Sequence, residues 1–177
     1  MTYTYKYTSP LGKITMASNG TALTGLWFDG QKYFAHTIKD ETKEKPLLIF
    51  DETAKWLDIY FSGKEPNFTP EILICGTPFR KAVGEIMLSI PYGKTMTYGE
   101  IADKIANQKG IKKMSAQAVG GAVGHNPISI IIPCHRIVGT NGSLTGYAGG
   151  IERKIELLKL EKADMSKLFV PRHSTAL

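Results

Sequence analysis

Hydrophobic and polar positions follow two different patterns along this chain of 177 residues. In the first third, residues 14–18 and 22–28 are mainly apolar runs separated by the turn pair Asn19-Gly20, which predicts a β-hairpin. From Pro46 onward, large apolar residues recur every three or four positions, which predicts a helix that ends near Gly63. The start of the chain is therefore predicted to form a small unit of strands followed by a helix.

The pattern changes after a polar connection, residues 64–70, which contains Pro66 and is typical of a boundary between domains. Short helices are predicted over residues 78–90, 97–107, 115–123 and 151–162. Thr97 with Glu100 forms a capping box, and Ser115 is a favourable N-cap. Two capped helices joined by a lysine-rich turn favour a helix-turn-helix, although an ordinary helical hairpin with solvated lysines fits the same pattern.

The helix that begins near Ser115 has an unusual composition, because it carries no large apolar side chain before Gly124. Gly120 and Gly121 lie near its middle, and each costs about 1 kcal/mol relative to alanine. Small residues allow a backbone to approach another surface closely. That surface is either a neighbouring helix of the same protein or a nucleic-acid groove, and both explanations fit the sequence.

Charge and cysteine content narrow the class of protein. Lys and Arg number 22 against 16 Asp and Glu, a net charge of +6, which permits nucleic-acid binding without requiring it. We expect no membrane segment and a cytoplasmic location, because no run approaches about 20 apolar residues and the polar start is unlike a signal peptide. Neither Cys75 nor Cys134 belongs to a C-x-x-C pair, so we expect no metal site and no disulfide.

The segment IIIPCHRIVG carries the strongest chemical signal. Residues 128–132 predict a β-branched strand or a buried extended segment, and Pro133 ends any ladder, so that Cys134 is presented at a bend. A thiol is a nucleophile only as thiolate, a form that a neighbouring imidazole or guanidinium favours, and His135 and Arg136 supply both. A small buried cysteine with chance neighbours is the structural alternative.

Two further features could complete such a site. The glycine-rich loop TGYAGG, residues 145–150, lacks a Gly-x-x-x-x-Gly-Lys pattern and therefore predicts no nucleotide cofactor. It is either the lining of a pocket for a flat ligand or a plain surface turn. Glu161, near the end of the last helix, either reaches His135 or is a solvated charge.

The PCHR motif within NPISIIIPCHRIVG, the preceding AVGGAVGHN and the following TGYAGG together closely resemble the O6-alkylguanine-DNA alkyltransferases. The resemblance is dense over about residues 76–162 and holds only in outline before that. It implies an α+β protein, with an RNase H-like α/β N-terminal domain over residues 1–70 and a winged helix-turn-helix C-terminal domain over residues 76–164. It also implies a monomer that acts on double-stranded DNA containing O6-alkylguanine and needs no cofactor.

The resemblance also implies roles for individual residues. Cys134 corresponds to the alkyl acceptor, His135 to its partner acting through a water, and Glu161 to the carboxylate that orients the histidine. Further roles follow for Asn126, which would brace the turn, and for Tyr98, which would hydrogen-bond the flipped base. The pocket would be lined by Tyr98, Ile137, Tyr147, Ala148 and Gly149, and DNA would be contacted by Lys113, Ser115, Gln117, Ala118, Gly121 and Arg136.

The implied reaction is DNA repair by irreversible, single-turnover transfer of an alkyl group from O6 of guanine, with O4 of thymine as a further candidate. The base would be flipped out of the duplex. Gln117 stands where the family often has an arginine, so we expect weaker DNA binding than an arginine would give. The alternatives are a non-catalytic alkyltransferase-like DNA-binding protein, which would lack the acceptor thiol of Cys134, a cysteine hydrolase and a winged-helix regulator.

Overall fold

The computed structural model describes residues 1–172, so the final five residues of the C-terminal tail lie outside the described part. The chain divides into two compact units. The first comprises residues 1–76 together with residues 127–131, and the second comprises residues 77–126 and the chain after residue 131. The segment 127–131 belongs to the first unit, although the residues on either side of it belong to the second.

The first unit is a four-stranded sheet with one helix. Its strands are β1 (Thr2–Ser9), β2 (Gly12–Ser18), β3 (Leu23–Phe28) and β4 (Thr42–Glu44), in the spatial order β3-β2-β1-β4. Strands β2 and β3 form the predicted hairpin, and the helix α1 spans Leu48–Phe61. Strand β1 was not predicted. Tyr3, Tyr5 and Tyr7 alternate with threonine or lysine, and the residues of the strand are mostly half-buried or exposed, so it lacks the apolar face of a typical strand.

The segment 127–131 is buried but is not a regular strand. The main chain of Leu26 in β3 donates to the carbonyl of Pro127 and accepts from the N–H of Ser129, at 2.8 and 2.9 Å. Ile130 then adopts a left-handed φ of 70°, and Ile131 donates to the carbonyl of Ser129, which closes a γ-turn. A β-branched residue rarely adopts this conformation, so the first predicted alternative, a β-strand, is wrong at Ile130. The second alternative, a buried segment, is confirmed in its burial.

The second unit contains four helices in its described part. They are α2 (Pro78–Leu88), α3 (Tyr98–Lys109), α4 (Ala116–Gly124) and α5 (Ile151–Leu160). Thr97 and Glu100 form the predicted capping box, and the Ser115 hydroxyl caps α4 by accepting from Ala118. Two short strands, β5 (Met96–Thr97) and β6 (Ile137–Val138), pair in parallel and place the start of α3 beside the residues that follow the PCHR motif.

The chain after α5 packs back onto the second unit. Phe169 donates to the carbonyl of Gly142 and accepts from the N–H of Leu144, and Leu168 packs against a small apolar cluster that includes Leu144 and Leu158. The tail therefore holds one end of the glycine-rich loop. Over residues 1–172, no helix has both the length and the apolar character that a membrane crossing requires.

Candidate active site

Cys134 opens a single 3-10 turn, Cys134–Arg136, immediately after Pro133. Pro133 has φ −82° and ψ 66°, and the N–H of Cys134 donates to the carbonyl of Ile132 at 2.8 Å, so the proline is the centre of an inverse γ-turn. The side-chain amide of Asn126 donates to the same Ile132 carbonyl at 2.8 Å. The predicted bend at the thiol is confirmed, and Asn126 lies where it can brace that bend.

The Cys134 thiol is 4% exposed. Burial raises its pKa above the ordinary range, while a hydrogen bond from Asn126 and the positive charge of Lys154 act in the opposite direction. The thiol is therefore protonated at rest. It needs a base if it is to react as a thiolate.

His135 and Glu161 form a buried pair. Nε2 of His135 lies 2.7 Å from Oε1 of Glu161, and neither side chain is exposed to solvent. Burial lowers the pKa of His135, although Glu161 acts to raise it, so the imidazole is neutral at pH 7. A carboxylate only accepts hydrogen bonds, so Nε2 carries the imidazole proton and Nδ1 is the basic nitrogen.

Glu161 is held by more than the histidine. Burial alone would raise the pKa of this carboxyl, but hydrogen bonds from His135 and Arg136 outweigh it and lower the pKa to about 2. Arg136 donates to both carboxylate oxygens at 2.8 to 3.2 Å and to the carbonyl of Ile90 at 2.7 Å. The N–H of Gly93 adds a further donor at 3.1 Å. Glu161 is a fixed anion with a fixed position.

The inward position of Arg136 bears on the DNA contact expected for it. Its side chain is about 10% exposed, and its guanidinium lies over the Tyr92 ring while it donates to Glu161 and Ile90. This arrangement gives the predicted DNA contact no support. The sequence could not separate the two roles, because adjacent residues of a turn give no indication of which way each side chain points.

The glycine-rich loop lies beside the turn. The Tyr98 hydroxyl donates to the carbonyls of Thr145 and Gly146 at 3.2 and 3.3 Å. The Tyr147 ring packs edge-on against the His135 ring, with 6.5 Å between centroids, and its hydroxyl is buried with no hydrogen-bond partner among residues 1–172. A β-carbon at Gly149 would lie 2.6 Å from the Tyr147 ring, so this position admits only glycine without a shift. Ile137 and Ala148 flank the same region, the first buried and the second half-buried.

The residues predicted to contact DNA on α4 and just before it are on the surface. The positions that are exposed are Lys113, Ser115, Gln117 and Ala118. A cleft of about 310 Å³ lies between α4, the start of α3 and the glycine-rich loop. A β-carbon at Gly121 would meet nothing within 4 Å, so close packing inside the protein does not explain this glycine.

One residue of the site was missed by the sequence analysis. Lys154 on α5 is completely buried, and its ammonium donates to the carbonyls of Ile137 and Thr145. Its sequence signal was its spacing: it follows Ile151 by three positions and precedes Leu158 by four, which places it on the apolar face of the helix.

Two family models match this chain, "6-O-methylguanine DNA methyltransferase, ribonuclease-like domain" over residues 1–74 and "6-O-methylguanine DNA methyltransferase, DNA binding domain" over residues 78–163. The methylated-DNA–protein-cysteine methyltransferase of Mycobacterium bovis is 44% identical over 88% of this chain and 89% of its own length. The Methanosarcina barkeri protein of the same name is 43% identical over 89% of this chain and 95% of its own.

A solved structure gives the same result. The crystal structure of Mycobacterium tuberculosis OGT in complex with DNA is similar with a TM-score of 0.78 and 42% identity, covering 90% of this chain and 92% of that one. The predicted fold class, an α+β chain with a ribonuclease-like domain followed by a DNA-binding domain, is confirmed. The chain belongs to the methylated-DNA–protein-cysteine methyltransferase family.

Proposed function

We propose that this protein repairs DNA by moving an alkyl group from O6 of guanine directly onto the sulfur of Cys134, once per molecule. The observation that carries the proposal is the bend at Cys134, followed by a buried neutral His135 that an ionised Glu161 orients. A thiol, a base and an orienting acid are the parts that nucleophilic catalysis needs. The acceptor thiol also separates this proposal from a damage-binding protein without transfer activity.

The chemical step is a direct displacement. The thiol proton passes to Nδ1 of His135, directly or through a water, and the resulting thiolate attacks the alkyl carbon. The S–C bond forms while the C–O6 bond breaks, and guanine keeps that electron pair and takes up one proton. The thioether that remains on Cys134 has no easy leaving group, so the protein is consumed.

The substrate is double-stranded DNA that carries O6-alkylguanine. The lesion must leave the base stack, at a cost of a few kcal/mol, before a buried thiol can reach it. The exposed side of α4, with Lys113, Ser115, Gln117 and Ala118, faces the duplex, and Gln117 takes the space that the flipped base vacates. Gly121 lets this helix approach the groove.

The flipped base is held in the pocket by Tyr98, Tyr147 and the main chain of Ile137, Ala148 and Gly149. Tyr98 now donates to the carbonyls of Thr145 and Gly146, and it exchanges these bonds for one to the base. Burial raises the pKa of its hydroxyl, so it stays a proton donor throughout. Donation to the base offsets the negative charge that develops as the alkyl group departs.

A cytoplasmic location fits this chemistry. A thiol that must react as a nucleophile has to remain reduced, and the cytoplasm keeps cysteines in that state. Both cysteines of the chain, Cys75 and Cys134, are free.

The test is intact mass spectrometry after incubation with a duplex oligonucleotide that contains O6-methylguanine. We expect the mass of the protein to rise by one methylene unit, with the added mass on the peptide that contains Cys134. Cys75→Ser should react like the unaltered protein, and Cys134→Ser should not react. Binding of the duplex without any mass change would favour the damage-binding alternative instead.

A further inference from the structure

One wall of the cleft beside α4 is formed by residues 139–146, which we call the cleft wall. The residues of this wall that line the cleft are Gly139, Thr140, Thr145 and Gly146. They form two pairs, which stand on either side of residues 141–144 in the sequence. The middle part of the wall therefore sets where the two pairs lie relative to each other.

That middle part is hydrogen-bonded to the tail segment, residues 165–170, which follows α5. The N–H of Leu144 donates to the carbonyl of Phe169 at 2.8 Å, and the N–H of Phe169 donates to the carbonyl of Gly142 at 3.1 Å. Ser143 and Leu144 are both buried. The tail segment thus pairs with the main chain of the wall on both sides of Ser143.

Apolar packing adds to this attachment. Val138, which directly precedes the wall, and Leu144 within it belong to a buried apolar cluster of the second unit. Met165 and Leu168 of the tail segment pack against the same cluster. The hydrogen bonds of Phe169 and the packing of Leu168 therefore act on the same short stretch of the wall.

Gly142 shows how closely the tail segment approaches the wall. Its φ is 90°, and a β-carbon there would lie 2.0 Å from the carbonyl oxygen of Lys167. No side chain fits at that distance, so the tail segment can lie in this place because residue 142 is a glycine.

The wall is also held by Tyr98, whose hydroxyl donates to the carbonyls of Thr145 and Gly146. In the proposed reaction Tyr98 exchanges these bonds for one to the flipped base, so this attachment is given up when the base enters. The bonds of Phe169 take no part in the exchange. The tail segment is therefore placed to preserve the shape of the wall while Tyr98 changes its partner.

We propose that Leu168 and Phe169 are positioning residues of the transfer reaction, because the tail segment that carries them fixes the cleft wall in the shape that receives the flipped base. Among residues 1–172, those that line the cleft do not include the tail segment, so it acts through the wall. The role in transfer rests on the proposed function, whereas the attachment of the tail segment to the wall does not.

The first variant is Gly142→Ala, whose β-carbon would displace the carbonyl of Lys167. Gly30→Ala is its matched control, because Gly30 has a φ of 81° and a β-carbon there would meet nothing within 4 Å. Both substitutions strain a left-handed backbone, but only Gly142→Ala displaces the tail segment.

The second variant, Leu168→Ser, removes apolar packing and leaves every residue of the wall unaltered. Val170→Ser is its matched control, since Val170 lies in the same segment and is 52% exposed. Leu168→Met keeps an apolar side chain of similar volume and should behave like the unaltered protein. Circular dichroism confirms that each variant folds, and Leu168→Ser carries the test if Gly142→Ala does not fold.

The attachment itself is measured without DNA, by hydrogen exchange of the Leu144 amide. We expect this amide to exchange about tenfold faster in Gly142→Ala and Leu168→Ser, because its bond to Phe169 opens more often. The two controls and Leu168→Met should leave the exchange rate unchanged. Unaltered exchange in both variants would overturn the attachment of the wall by the tail segment.

The role in transfer is measured in a single turnover at a saturating concentration of methylated duplex. We expect the rate constant to fall about tenfold in both variants, because the base is held less precisely. Affinity for an unmethylated duplex should change less than about twofold, since the exposed side of α4 is unaltered. A loss of stability alone would lower the fraction of protein that reacts and leave the rate constant of the remainder unchanged.

The two measurements distinguish the proposals. If the unaltered protein accepts no methyl group while the Leu144 amide responds as expected, the proposed function is wrong and the attachment stands. If transfer occurs and both variants react with the rate constant of the unaltered protein, the tail segment has no part in transfer and the proposed function stands.

Discussion

Nε2 of His135 and Oε1 of Glu161 lie 2.7 Å apart with both side chains fully buried, and the same carboxylate receives the guanidinium of Arg136. The negative charge of Glu161 is therefore neutralised by the arginine before the histidine gains any proton. Burial is the main reason that a histidine held by a carboxylate is still neutral, because it lowers the pKa of His135, and the positive charge of Arg136 lowers that pKa further.

The first prediction concerns how the methyl-transfer rate depends on pH below pH 7.5. Burial lowers the pKa of His135 from its ordinary value of 6.5, so the imidazole remains available as a base at pH 6.5 and below. We expect the single-turnover rate to stay constant as the pH falls from 7.5 to 6.5 and to decline only at lower pH. The measurement is quenched transfer from a methylated duplex at constant ionic strength. A decline centred above pH 6.5 would contradict this assignment of the base.

The second prediction concerns the stability that Glu161 provides. Its pKa is depressed from 4.5 to about 2, so the stabilisation is present above pH 4.5 and is lost as the pH falls toward 2. Glu161→Gln should remove this dependence of the free energy of unfolding on pH. It should also destabilise the protein by about 3 kcal/mol at pH 7, since Arg136 is then buried without a partner. Chemical denaturation across this pH range checks both expectations.

The control for that experiment is Glu156→Gln, because Glu156 lies on the same helix and its side chain is 56% exposed. Glu156 forms an exposed ion pair with Lys159, and a single exposed pair contributes little to the free energy of unfolding. We expect the control to change the free energy of unfolding by less than about 0.5 kcal/mol. Equal losses in the two variants would show that the buried network is not the source of the effect.

Much of this site could be predicted from sequence because its signals are local. The bend at Cys134 follows from Pro133, and the starts of α3 and α4 follow from the caps at Thr97 and Ser115. Each of these residues acts on backbone groups within three positions of itself. Such effects do not depend on how distant parts of the chain pack.

The remainder depends on packing that sequence does not reveal. The resemblance implies a DNA contact for Arg136, and the sequence indicates no role for Lys154, because a long cationic side chain is usually solvated. Both are buried against partners 9 to 46 positions away in the chain. The left-handed Ile130 could not be predicted either, since the hydrogen bonds that hold its segment come from Leu26 on β3.

The third prediction concerns Gln117, which lines the cleft beside α4 and is exposed. Gln117→Arg adds a fixed charge and a planar donor group at this exposed position, so we expect tighter binding of a methylated duplex. The slope of log affinity against log salt concentration should steepen by about one. Fluorescence anisotropy in a salt titration measures both quantities.

Asn67→Arg is the matched control for that variant, because it adds the same charge at an exposed position of the first unit. If the gain arises at the cleft, Gln117→Arg should exceed the control in both affinity and slope. Indistinguishable titrations for the two variants would mean that added charge alone, and not its place on α4, governs binding.

The last prediction uses Gly121, which lies four positions after Gln117 and therefore on the same face of α4. A β-carbon there would meet nothing within 4 Å, so Gly121→Ala should raise the free energy of unfolding by about 1 kcal/mol through helix propensity. Gly110→Ala is the control, since its β-carbon also meets open space but its φ is 63°, and it should lower the stability.

The same position also allows a test of DNA binding. Gly121→Leu should weaken DNA binding and leave unchanged the rate at which iodoacetamide alkylates Cys134, a reaction that needs no DNA. The glycine costs the helix stability and fills no tight space inside the protein, so its benefit must come from what approaches it from outside. A leucine would hold the groove away from the helix backbone. If Gly121→Leu binds the methylated duplex as tightly as the unaltered protein, this face of α4 does not face DNA.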